Sequence, residues 1–174
     1  MKILVMYASK HGATAEIAAQ IADELRTEDT EVVLSTVSEV THPEYYDVFV
    51  LGSAIYYGHW MNSAAEFLIT YESLLATRPT WLFSSGPAAP GDPTELLSGY
   101  RFPPILQDIA NRIQPKDIIL FNGSLETDSL RWVDRMVART LNSNVGDFRD
   151  WDAIRAWAKH IKHTLMPESR VTAE

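Results

Sequence analysis

Ile3-Leu4-Val5-Met6-Tyr7-Ala8-Ser9-Lys10-His11-Gly12-Ala13-Thr14 joins an apolar, strand-like run to a turn of small and hydroxyl residues, and Ile17, Ala18, Ile21, Ala22 and Leu25 follow at helical spacing. A strand, a glycine-containing turn and a helix in that order read as a phosphate-binding loop. The amides at the helix N-terminus and the positive end of its dipole favour a dianion, and the hydroxyls of Ser9 and Thr14 can add hydrogen bonds. A mononucleotide phosphate fits this pattern. The loop lacks the spacing of a Walker A sequence and has one glycine where a dinucleotide fingerprint needs three. The strand ends Tyr7-Ala8-Ser9 and Gly52-Ser53-Ala54 also lack the acids of a phosphoacceptor receiver domain. The competing reading is an ordinary strand-to-helix turn capped by Ser or Thr.

The chain has 174 residues, 46% of them hydrophobic, which suits one domain with a sizeable core over residues 1–165, followed by a polar tail over residues 166–174. No apolar run approaches the roughly 20 residues of a bilayer span, and the short N-terminal run does not read as a signal peptide, so cytoplasmic residence is the expectation. With no cysteine, disulfides, iron–sulfur clusters and thiolate catalysis are excluded, and a redox role needs an organic cofactor. The net charge of −8 is uneven. Residues 1–100 carry 4 basic and 13 acidic side chains, net −9, and residues 101–174 carry 11 and 10, net +1. Nucleic acid is not an expected partner of such a chain.

Strand-like and helix-like segments alternate beyond the first loop. Glu31 to Val37 and the nearly continuous apolar run Asp47 to Ser53 read as strands, the latter buried on both faces. Asn62 to Leu75 reads as a helix, and Thr80 to Ser84 and Asp117 to Phe121 as two further strands. The pattern predicts an α/β fold, a doubly wound five-stranded parallel sheet in the order 2-1-3-4-5 with helices on both faces. A ligand then sits outside the carboxyl ends of strands one and three, where strand order reverses. The loop after strand three, Ala54-Ile55-Tyr56-Tyr57-Gly58-His59-Trp60, is dense in aromatics that suit the face of a planar heterocycle, although one tyrosine and Trp60 can equally serve packing.

These residues resemble the flavodoxin superfamily, and most closely its menaquinone-dependent protoporphyrinogen oxidase branch. The resemblance rests on Ser9 to Thr14, on Gly52 to His59 and on the late segment Arg131-Trp132-Val133-Asp134-Arg135. It implies an FMN cofactor, with Ser9, Lys10, His11, Gly12, Ala13 and Thr14 at the phosphate. Ala54, Ile55, Tyr56, Tyr57 and Gly58 would flank the isoalloxazine, and Ser84, Ser85 and Gly86 match the third loop by position. A deazaflavin is a second option. His11 stands where many flavodoxins have a small hydroxyl residue, so its backbone is the expected contact. The proline- and glycine-rich stretch Gly86 to Pro104 departs from the branch and reads as a long, stiffened surface loop, either a substrate wall or a plain connector.

Arg131, Arg135 and Arg139 recur at helical spacing as a basic ridge. It suits porphyrin carboxylates, anionic lipid at the inner membrane face or an acidic partner, and the favoured reading is a solvated helix face. His160 and His163 have weak metal spacing and are expected to face solvent, so no metal is assigned. No residue stands out as a catalytic acid or base. The resemblance implies an FMN-dependent oxidoreductase with a tetrapyrrole donor and a quinone acceptor. Two alternatives stand beside it. The acidic first part fits an electron-transfer flavodoxin docking to a redox partner protein, and a flavodoxin-like binding module without flavin is the third reading.

Overall fold

A computed structural model of the chain describes residues 1–125 and 146–166. Strands β1 (Lys2–Ala8), β2 (Glu31–Thr36), β3 (Val48–Tyr56), β4 (Thr80–Ser85) and β5 (Asp117–Phe121) form a parallel sheet in the order β2-β1-β3-β4-β5. This is the flavodoxin-like doubly wound arrangement expected from the sequence. Alternation along each strand divides the core in two. Ile3, Val5, Val48, Val50, Trp81 and Phe83 face α1 (Ala13–Leu25) and α6 (Trp151–Leu165). Leu4, Met6, Phe49, Leu51 and Leu82 face α2 (Asn62–Thr70), α3 (Glu72–Ala76) and α5 (Gln107–Ile113). Ile17, Ile21 and Leu25 on α1 are wholly buried. At about 1.5–3 kcal/mol per large side chain, that burial outweighs the absence of a side-chain cap at the helix N-terminus, while at its other end Thr30 Oγ1 donates to the Leu25 carbonyl at 3.0 Å.

Three segments differ from expectation. β3 continues to Tyr56 instead of ending at Ser53, because Ala54 pairs with Ser85 of β4 and Tyr56 pairs with His59 of the short returning strand His59–Trp60. The expected loop after strand three is therefore a β-hairpin, turned by Tyr57 (φ 51°) and Gly58 (φ 78°), the two positive φ values that a type I′ turn requires. The helix expected over Asn62 to Leu75 breaks at Tyr71 (φ −107°, ψ 19°) into α2 and α3. Hydrogen bonds from Tyr71 N–H to the Phe67 carbonyl and from Leu75 N–H to the Tyr71 carbonyl cross the break, and the apolar stripe continues with them, so periodicity does not register it. Finally, the stretch Gly86 to Pro104 contains a short helix, α4 (Pro93–Leu96), whose N-cap Asp92 accepts from the amides of Thr94 and Glu95.

Among the described residues no helix is long and apolar enough to cross a membrane. The ridge Arg131, Arg135 and Arg139, the segment Arg131 to Arg135 and residues 167–174 of the tail lie outside the described residues. His160 and His163 are both exposed on α6.

Candidate functional site

The carboxyl ends of β1, β3, β4 and β5 build the site. After β1, Gly12 takes φ 93°, a left-handed conformation that an L side chain rarely adopts, and its amide donates to Ser9 Oγ at 3.1 Å. This folds Ser9 to Thr14 into a turn that delivers the chain into α1. The first helical hydrogen bond runs from Glu16 N–H to the Gly12 carbonyl at 3.0 Å. Among the described residues, the amides of Ala13, Thr14 and Ala15 have no acceptor. Thr14 is 1% exposed, and its hydroxyl likewise has no partner among the described residues. A row of unsatisfied amides with a sunken hydroxyl beside them is a cradle for an anion.

The hairpin after β3 closes one side. The Lys10 ammonium lies 6.0 Å from the centre of the Tyr56 ring, and the His11 ring meets Tyr56 edge-on at 6.3 Å, so the two loops singled out in the sequence adjoin. Tyr57 projects at the hairpin tip, 80% exposed, while Ala54 is buried and Ile55 partly so. At the hairpin base Ser53 Oγ accepts from the Met61 amide at 3.0 Å and donates to the Ala54 carbonyl at 2.9 Å.

Trp60 is core, as one reading of the sequence allowed. Its Nε1–H donates to Ser84 Oγ at 2.9 Å, and its ring packs edge-on against Phe102 at 4.8 Å. Ser84 and Ser85 are thus the last two residues of β4 and not part of a loop, and both are buried. Ser84→Ala is expected to cost about 1–3 kcal/mol, because the indole N–H would be left buried without an acceptor. Urea denaturation beside a flavin titration checks this: loss of stability with unchanged affinity marks the hydroxyl as a brace for the hairpin.

Gly86 (φ 127°) opens the third loop. Its amide donates to the Phe121 carbonyl at 3.0 Å, and a Cβ on Gly123 would come within 3.3 Å of its Cα. Asn122 ties the loops after β4 and β5 together, with Nδ2 donating to the carbonyls of Ala89 and Gly91. Its Oδ1 is buried and has no partner among the described residues, so an acceptor remains available there. Sequence reasoning passed over Asn122, which no local pattern marks.

It also passed over Arg149. That side chain, 4% exposed, donates to Asp147 through Nε at 2.8 Å and Nη2 at 2.7 Å and to Glu16 Oε2 at 2.9 Å, and it stacks on Trp151 at 4.6 Å. The hydrogen bonds from Arg149 hold the Asp147 carboxyl below its ordinary range. Those to Asp147, and next to Glu16, raise the guanidinium above its own against the cost of burial. The charge alternation Asp147-x-Arg149 was the available signal.

The model of the flavodoxin domain family matches residues 4–152 of this chain. The chain belongs to the flavodoxin-domain family. It is similar to protoporphyrinogen IX dehydrogenase (quinone) of Escherichia coli strain K12, with 24% identity over 94% of this chain and 96% of the relative. Its fold is similar to that of oxidised Flavodoxin 1 from Bacillus cereus, with a TM-score of 0.60 and 14% identity over 94% of this chain and 99% of that one. A flavodoxin from the domain Archaea gives a TM-score of 0.58 at 14% identity, covering 95% and 99%. As a flavodoxin-domain protein it is a flavoprotein with FMN as cofactor, and the open amides of α1 and the sunken Thr14 hydroxyl fit the phosphate of that group.

Proposed function

We propose that this flavodoxin-domain oxidoreductase oxidises a tetrapyrrole precursor and passes the electrons to a quinone. The observation that carries this reading is an apolar recess beside the hairpin, lined by Ile55, Leu97, Tyr100, Phe102, Pro103 and Pro104, with Gly58 at its edge. Exposed Leu96, Tyr100 and Ile105 extend the apolar surface outward from it. Such a surface suits a ring-shaped apolar reactant, whereas docking of a charged protein partner needs no recess. The E. coli relative, whose name specifies both substrate and acceptor, supports the same assignment.

FMN, when bound, supplies reversible two-electron chemistry. The chain's own residues do the rest. Ser9 to Thr14 hold the phosphate, Ala54 to Gly58 and the turn at Gly86 flank the ring, and Ser84 and Ser85 support that wall from β4. The recess itself holds only about 50 Å³, so an apolar reactant would lie against the surface that it and the exposed Leu96, Tyr100 and Ile105 make. A lipid-soluble acceptor would bring the protein to the inner face of a membrane from the cytoplasm.

Without oxygen, purified holoprotein should oxidise protoporphyrinogen only to the extent of its bound flavin, and should turn over continuously once a soluble quinone is added. Leu97→Ser is expected to raise the KM for quinone several-fold with little change in the flavin spectrum. If the reduced protein ignores quinone and instead reduces a basic partner protein in a salt-sensitive manner, the acidic residues 1–100 are its docking face and it is an electron carrier.

A further inference from the structure

We propose that Arg149 is the positioning residue of the FMN phosphate loop, cancelling the charge of Glu16 in the first turn of α1 and fixing that turn. Glu16 is the acidic residue in the first turn of the helix whose N-terminal amides would receive the phosphate. A carboxylate there opposes a dianion and works against the helix dipole's attraction for it. Arg149 meets Glu16 at 2.9 Å, and the same Nη1 approaches the carbonyl of Ala13, the first residue of α1, at 3.5 Å. One guanidinium therefore holds both the side chain and the backbone of that turn.

Its other face is fixed independently. Asp147 grips Nε and Nη2 in a two-pronged arrangement, and Trp151 covers the plane of the group. Asp147 is itself paired with Ser124 in a short antiparallel ladder just beyond β5, and Asp150 caps α6 by accepting from the Ala153 amide at 2.9 Å. The arginine thus reaches the first loop from the segment between this ladder and the cap of α6. Because its side chain is 4% exposed, solvent and salt screen its charge less than they would that of a surface lysine. The cluster of Arg149, Glu16 and Asp147 has a net charge of −1, which becomes −2 without the arginine.

The inference rests on Ser9 to Thr14 holding the phosphate, and riboflavin, which lacks that phosphate, tests it. The full-length chain, freed of flavin, is titrated with FMN and with riboflavin at low ionic strength. Arg149→Met is expected to weaken FMN about ten-fold and riboflavin less than two-fold. Adding Glu16→Gln to that variant should restore FMN to within about three-fold of the parent. An equal loss for both flavins, no loss for FMN, or no rescue by Glu16→Gln overturns the inference. Should Arg149→Met fail to fold, Glu16→Gln alone decides: FMN should tighten about two-fold with riboflavin unchanged, and the absence of that selective gain is equally fatal. Gly12→Val in the same titration separates the two levels. If it binds FMN normally, the phosphate lies elsewhere and the role of Arg149 falls with it; if it loses FMN while Arg149→Met does not, only the role of Arg149 is lost.

Discussion

Gly52→Ala is expected to destabilise the chain by about 3 kcal/mol or more, a fall of roughly 6–12 °C in Tm. Gly52 lies in the middle of the sheet, paired in register with Tyr7 of β1 and Phe83 of β4. A Cβ there would stand 1.9 Å from Cζ of the Phe83 ring and within 2.3 Å of both Cε atoms. The ring has nowhere to go. It is wholly buried against Phe121 and Trp157, with centroids 6.2 and 6.1 Å away, and Trp157 is held in turn by Nε1–H donating to Asp117 Oδ2 at 2.7 Å. Phe83→Leu removes the ring tip, so Gly52→Ala should cost less than about half as much in that background. Equilibrium denaturation of the two single variants and the double variant measures this; full additivity would show that the ring is not what makes glycine necessary.

Gly12→Val is expected to weaken FMN binding by about 100-fold while leaving the rest of the fold intact. Here the reason is backbone and not space. Nothing lies within 4 Å of a Cβ built on Gly12, but its φ of 93° strains an L residue, and a β-branched one most of all. The loop relieves the strain by rotating Gly12, which breaks its amide's bond to Ser9 Oγ and turns the neighbouring amides off the phosphate. Gly12→Ala should show a smaller loss of the same kind. Fluorescence titration reads both, and circular dichroism of the apoprotein confirms that the sheet persists. Unchanged affinity in both variants would remove the phosphate from this loop.

The two substitutions divide what the sequence disclosed from what it did not. Gly12 was legible because a glycine between hydroxyl residues, placed between a strand pattern and a helix pattern, has a local reason to be there. The strands were legible for the same kind of reason, since alternation and β-branching are local properties of Ile3 to Met6, Glu31 to Val37 and Asp117 to Phe121. Gly52 is required by Phe83, 31 positions away, and no local rule expresses that. The hairpin at Tyr57 and Gly58 was hidden by its own aromatics, which read as ligand contacts before they read as an extended strand. Trp60 and Ser84 find each other only across the sheet. Arg149 is the extreme case: it acts on Glu16, 133 positions earlier, and its part could be seen only with the chain folded.

α1 is completed by residue 25, but the surface that covers its outer side belongs to α6, which begins at residue 151. Ile17, Ala18 and Ile21 share one core with Ile154, Ala158 and Ile161, and Lys162 closes the contact by donating to the Glu24 carbonyl at 3.1 Å. On a translating ribosome that interval is on the order of ten seconds, during which α1 can pack on β1 and β3 but the part of its apolar surface that meets Ile154, Ala158 and Ile161 stays uncovered. The nascent chain therefore passes through a window of aggregation risk that closes only when α6 emerges.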